Sequence, residues 1–190
     1  MQDIGPVVLA EKIILFPELW KTPADFISQV NTIDGWTEPE NYGQVLGGAI
    51  TESAATFLWL DILDIPEDLY TDFNYAFVYA CNNYAKRYGS DVLIDSAGSM
   101  EVKKYNDGGH YSPTASNNDL ENHAELSVIM MFPNDDYVGG EMVFKDYDLK
   151  YSPKKGDVLI YPATYVSSSL AATGANKYEL RDHITLIPVS

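Results

Sequence analysis

The chain reads as an α+β domain in which N-terminal helices support a β-sandwich or jelly roll. Three observations carry that reading. Two stretches of the first half repeat apolar residues at helical spacing. From about residue 91 the apolar period drops to two. The turn clusters "NDGG", "PNDDYVGG", "SPKKGD" and "ATGAN" then cut the second half into short strands. No repeat or linker divides the 190 residues, so one domain is expected, with helical support over 17–90 and a β core over 91–190.

Residues 1–20 hold the β-branched, apolar runs "VVLA" and "KIILF", an entering strand that Pro17 stops. A short helix follows. Thr22 suits an N-cap, Pro23 suits the first helical position, and Phe26, Ile27, Val30 and Ile33 share one face. Gly35 is expected to close it. In 37–60, "EPENYGQVLGG" reads as loop, and "TESAATFLWLDIL" fits strand or short helix. A long helix comes next, with Leu69, Phe73, Phe77, Ala80 and Tyr84 on one face. Lys86 and Arg87 favour its C-terminal dipole, and Gly89 ends it. Its Tyr-rich stripe reads as core. The strands beyond are "SMEVKKYND", "AELSVIMMFP", "GEMVFKDYD", "GDVLIYPATY" and "RDHITLIPVS".

Composition excludes several functions. With 28 acidic against 12 basic residues, the formal net charge is −16. Nucleic acid and anionic membranes repel such a surface, so neither is expected as a partner. Cys81 is the single cysteine, which excludes an internal disulfide and Cys-based zinc. The N-terminal run lacks a basic n-region and is interrupted by Glu11 and Lys12, so no signal peptide is expected. There is no Gly-rich phosphate loop, no Gly-x-Ser-x-Gly and no His-Glu-x-x-His.

The second half carries a more specific pattern. Tyr105, Gly108 and Tyr111 are spaced as Tyr-x-x-Gly-x-x-Tyr. "PNDDYVGGEMVF" runs from Pro133 to Phe144, and "SPKKGDVLIYPATY" from Ser152 to Tyr165. Over residues 95–187 the chain resembles the Fe(II)/2-oxoglutarate-dependent oxygenases, in particular the prolyl 4-hydroxylase-like group of the kind encoded by cyanobacterial phages. The resemblance implies a double-stranded β-helix with Fe(II) and 2-oxoglutarate as the family's cofactors. The family continues Tyr-x-x-Gly-x-x-Tyr with x-x-His-x-Asp and adds a second His later. Those ligand positions fall here on Thr114, Ser116 and Ser169. A non-haem ferrous site needs two imidazoles and a carboxylate on one face. Neutral hydroxyls donate weakly and add no charge, so no metal and no cofactor are expected.

Other residues offer partial substitutes. His110 follows Gly108-Gly109 and lies about 13 Å before Thr114 along an extended strand, so it reads as a loop residue. His123 reads as surface and His183 as a structural histidine. Asp107, Asp119 and Glu125 are spare oxygen donors without a spacing that unites them. Asp135-Asp136 reads as a turn rather than an acid–base pair. For the distal carboxylate of 2-oxoglutarate the resemblance implies a basic residue on the last strand. Arg181 is the first candidate, with a surface ion pair to Asp182 or another carboxylate as its simpler alternative, and Lys177 is the second. Tyr105 belongs to the same vestigial pocket.

The function expected is therefore a catalytically degenerate oxygenase-like protein, reused as a structural or protein-binding module. The setting the resemblance suggests is a tailed-phage virion or the host cytoplasm, with protein partners in an oligomeric assembly. The rival is an active prolyl 4-hydroxylase-like dioxygenase. A third reading is a sugar- or peptide-binding jelly roll that stacks ligands on Trp36, Trp59 or tyrosines.

Overall fold

The first apolar run folds as a hairpin, not as one strand. β1 (Val7–Ala10) and β2 (Ile13–Phe16) pair antiparallel around Glu11 and Lys12. These two charged residues cannot continue the apolar run, and Lys12 takes a left-handed conformation at the turn, φ 55°. This computed structural model describes residues 5–37, 58–61, 67–93, 100–114 and 125–188.

Helix α1 (Pro23–Val30) begins at its proline and buries Phe26 and Val30, as the spacing predicts. It ends earlier than expected, at Asn31 rather than Gly35, and Thr22 makes no side-chain capping bond. The Asn31 amide instead donates to the Ile27 carbonyl, which satisfies the last turn without glycine. In the ambiguous segment, Leu58–Asp61 is strand β3; the loop expected over "EPENYGQVLGG" lies outside the described residues. Helix α2 (Glu67–Arg87) buries Leu69, Phe73, Phe77, Ala80 and Tyr84. Gly89 follows it with φ 63°. The tyrosine stripe divides: Tyr84 is core and bonds the Lys12 carbonyl at 3.0 Å, whereas Tyr75 and Tyr79 stack on each other at the surface.

The strands that follow are β4 (Ser90–Leu93), β5 (Glu101–Tyr105), β6 (Tyr111–Thr114), β7 (Glu125–Met131), β8 (Val138–Gly139), β9 (Met142–Phe144), β10 (Leu149–Tyr151), β11 (Val158–Pro162), β12 (Ser167–Ser169), β13 (Ala172–Thr173) and β14 (Lys177–Pro188). β14 starts four residues before the expected "RDHITLIPVS", an extension that matters for the site. The large sheet runs β1-β2-β11-β7-β14-β5-β3, with β4 also pairing β14. A smaller sheet runs β10-β9-β12-β6, and β8 pairs with β13. The assigned pairings are antiparallel, giving the curled two-sheet jelly roll.

Alternation assigns the two faces of the large sheet. One face, with Ile129, Met131, Ile160 and Leu180, packs under α1 and α2. The other, with Val128, Met130, Leu159 and Tyr161, meets Tyr111, Met142, Phe144 and Tyr151 of the smaller sheet. Each such side chain, fully buried, contributes roughly 1.5–3 kcal/mol. On the helix side Trp20, Phe26 and Phe73 form an edge-to-face triad with centroids 5.2–6.1 Å apart.

The "SPKKGD" turn is built from inside. Asp157 accepts from the backbone amides of Glu18 at 2.9 Å and Lys154 at 3.0 Å, and from the Tyr151 hydroxyl. Burial pushes the Asp157 carboxyl above its usual range, against the pull of these donors. Gly156 sits at φ 85° directly against the Trp20 carbonyl, where a Cβ does not fit. The turn thus locks β11 to the segment after β2.

Candidate functional site

The candidate site lies between the two sheets, and strand register decides which residues meet there. β6 and β12 are neighbours in the smaller sheet, pairing Ser167 with Thr114 and Ser169 with Tyr111 across a bulge. Thr114 and Ser169 therefore stand on adjacent strands, but the residue opposite Thr114 is Ser167. Ser116 lies outside the described residues, as do His123 and Asp119. Ser167 and Ser169 are both buried.

Their hydroxyls are engaged. The Ser167 Oγ lies 3.4 Å from the Tyr111 hydroxyl and 3.2 Å from the Tyr161 hydroxyl. Burial pushes both phenols up, so they stay neutral donors or acceptors. The Ser169 Oγ accepts from the Lys177 ammonium at 2.7 Å.

β14 supplies the charge. Its period of two points Lys177, Glu179 and Arg181 to one face, opposite Tyr105, Lys103 and Glu101 of β5. Lys177 and Glu179 are completely buried, and their side chains meet at 2.5 Å. The Lys177 ammonium also donates to the Gly140 carbonyl at 2.8 Å. Tyr105 donates to the other Glu179 oxygen at 2.8 Å. Rings of Tyr105, Phe132 and Tyr137 surround the ammonium at 5.2–6.0 Å. Burial lowers the affinity of Lys177 for its proton, and Glu179 opposes that loss.

The "NDDYVGGE" run explains itself here. Asn134 donates to the Asn176 carbonyl at 2.7 Å and accepts from the Tyr178 amide at 3.0 Å, gripping β14 on both sides of Lys177. It also donates to Asp136 at 2.6 Å, while Asp135 and Asp136 are exposed in the segment between β7 and β8. Gly140 has φ 68°, and a Cβ on it would stand 2.8 Å from the Tyr137 ring and 3.0 Å from Lys177. A glycine is required there for backbone and ammonium to meet.

The remaining candidates separate. Arg181 is 4% exposed, which excludes the surface ion pair with Asp182; it lies inside with Lys103, whose ammonium is 3.3 Å from Glu101. His183 is half-buried on the same face, and burial first, then Arg181, push it down to about 4. Its Nε2 has no hydrogen-bond partner among the described residues. His110 is a loop residue with Nδ1 3.2 Å from the Gly108 carbonyl. Asp107 accepts from the Gly174 amide at 3.1 Å. Trp36 packs edge-on against Tyr178 at 6.5 Å, on the outside of the barrel, so it does not line the cleft. The side chains of Trp59 and Glu125 lie outside the described set.

Three-dimensional comparison places this arrangement. Over 93% of its length the chain superposes on 97% of the viral collagen prolyl hydroxylase of Paramecium Bursaria Chlorella virus-1, with a TM-score of 0.62 and 14% identity. The chain has the fold of the 2-oxoglutarate and Fe(II)-dependent oxygenases. A 2OG-Fe(II) oxygenase-family oxidoreductase from Burkholderia pseudomallei matches 92% of the chain over 84% of its own, with a TM-score of 0.62 and 12% identity. A Trichoplax adhaerens prolyl hydroxylase matches 93% over 83%, with a TM-score of 0.59 and 10% identity. No protein-family model matches the sequence, and no curated protein does.

Against a ferrous ion the described donor set does not fit. Among the described residues no three His, Cys, Asp or Glu side chains converge. Ser167 and Ser169 offer neutral hydroxyls already bonded within the protein, and the Lys177 ammonium beside Ser169 repels a cation. Sequence reasoning missed Glu179, Ser167, Asn134 and Gly140. Glu179 was legible in principle, because it stands two residues after Lys177 and a strand begun at 177 puts both on one face.

Proposed function

We propose that this protein is a non-catalytic member of the oxygenase fold, used as a structural or protein-binding module. One observation supports the reading: β6 and β12 are neighbouring strands, so Thr114 and Ser169, two of the positions on which the family resemblance puts metal ligands, lie on adjacent strands, and neither residue type supplies the imidazole or carboxylate that a ferrous site requires. A fold outlives its site because turn chemistry and core packing do not depend on the metal. Here Asn134, Gly140 and Gly156 bond or pack within the protein itself.

The setting we propose is a component of a tailed-phage virion, in neck, tail, baseplate or capsid decoration, within an oligomeric protein assembly. The likeness to a viral relative supports this, and a net charge of −16 suits a protein partner better than nucleic acid. No helix among the described residues is long and apolar enough to cross a membrane. Two measurements test the reading. Anaerobic Fe(II) titration is expected to show no stoichiometric binding and no 2-oxoglutarate turnover. Mass spectrometry of purified particles is expected to detect the chain.

The second reading is an active Fe(II)/2-oxoglutarate-dependent, prolyl 4-hydroxylase-like dioxygenase. The match to prolyl hydroxylases along nearly the whole chain favours it. Its ligands would include residues outside the described set, among them Asp119 and His123. Iron-dependent turnover that is lost in His123→Ala would establish it.

A further inference from the structure

The buried ammonium of Lys177 is saturated by the protein. An ammonium has three N–H donors. Here it donates to the Gly140 carbonyl at 2.8 Å and Ser169 Oγ at 2.7 Å, and pairs as an ion with Glu179 Oε1 at 2.5 Å. The second Glu179 oxygen is held by the Tyr105 hydroxyl at 2.8 Å. Both members of the pair have no exposed side-chain surface. An external carboxylate entering the cleft would have to displace Glu179 and leave a buried charge without its partner, which is strongly unfavourable.

We propose that Glu179 is a built-in ligand: its carboxylate occupies the cation that a small dicarboxylate would otherwise pair with inside this barrel. The inference rests on the non-catalytic reading in one respect, that no metal chelates a ligand strongly enough to evict Glu179. The three carbonyl, hydroxyl and carboxylate acceptors come from three elements, the β8–β9 turn, β12 and β14. The Lys177 ammonium therefore also ties the smaller sheet to the large one.

Removal of the carboxylate should create a site for a free one. In chelator-treated full-length protein, 2-oxoglutarate and acetate are expected to leave the wild-type melting temperature unchanged. Glu179→Ala should melt lower, and acetate should raise its Tm in a saturable way, as ligand linkage requires. Chloride should not reproduce the rise, and Lys177→Met/Glu179→Ala should show no acetate response. Where Glu179→Ala does not fold in plain buffer, refolding it in acetate makes the same comparison: folded protein in acetate and none in chloride is expected, and equal failure in both overturns the proposal.

Two further results overturn it. One is saturable binding of 2-oxoglutarate to the metal-free wild type that Lys177→Met abolishes. The other is a folded Glu179→Ala whose acetate response is no greater than that of the double variant. Because every arm is run in chelator, these results leave the non-catalytic reading standing. That reading falls only to the separate iron-dependent turnover measurement.

Discussion

The two faces of β14 are held by opposite physics. Toward the helices, Leu180, Ile184 and Leu186 bury hydrocarbon in the cluster with Phe26, Phe73 and Tyr84. Toward the barrel interior, Lys177, Glu179 and Arg181 bury charge among Tyr105, Tyr111 and Tyr161. The apolar face is stabilised in increments, since each methylene leaves water independently. The polar face is nearly all-or-none, because a buried charge is tolerable only with its partner. The interior face carries the Lys177–Glu179 ion pair, both side chains fully buried.

The largest effects should come from breaking that pair one side at a time. Lys177→Met strands Glu179 and is expected to cost about 3–5 kcal/mol in urea denaturation. Lys177→Met/Glu179→Met should recover most of that loss, because a buried pair replaced by apolar groups is often neutral. Equal destabilisation of the single and double variants would break the contrast between the faces. The helix side should behave otherwise. Phe73→Ala is expected to cost about 3–5 kcal/mol by leaving a cavity between Trp20 and Phe26. Adding Phe26→Ala should deepen that loss rather than repair it.

A smaller effect is pH-dependent. His183 titrates at about 4 in the folded protein, below its ordinary value of about 6.5. Between those values the unfolded chain takes up the proton first. The His183 contribution is therefore fully present above pH 6.5 and is lost as pH falls toward 4. One proton sets a ceiling of about 1.4 kcal/mol per pH unit, and the half-buried ring should fall below it. Replacement by Gln should flatten the stability profile in that window. The smallest effect is expected at the rim. Lys150 meets Glu141 at 2.9 Å with more than half of the lysine side chain exposed, so Lys150→Ala should cost no more than about 1 kcal/mol. A larger loss would show that the smaller sheet depends on surface charge.

Much of the architecture is legible in the sequence. Five apolar residues of α2 declared its buried face, because a helix repeats every 3.6 residues whatever surrounds it. The strands around Val102, Ile129, Met142 and Ile160 declared themselves by alternation and turn residues, and Tyr105, Gly108 and the "NDDYVGGE" run pointed to the right barrel. The misses have identifiable causes. The hairpin at Glu11-Lys12 looks like one strand in the sequence because two residues interrupt the pattern only briefly. α1 was drawn too long because Gly35 is a plausible stop, while the amide of Asn31 had already closed the helix. β12 is three serines, which carry no strand signature of their own and are ordered by pairing with β6 and β9.

Local spacing in this sequence was enough to decide the helices and most strands, and the family resemblance added the jelly roll. Tertiary structure alone decided that Ser167, not Ser169, stands opposite Thr114. It also decided that Lys177 rather than Arg181 forms the closed ion pair, and that Glu179 fills its valence. The reason is register. A bulge between Ser167 and Ser169 shifts the pairing by one residue, and an ion pair buried between two sheets is defined by contacts that adjacent residues do not encode.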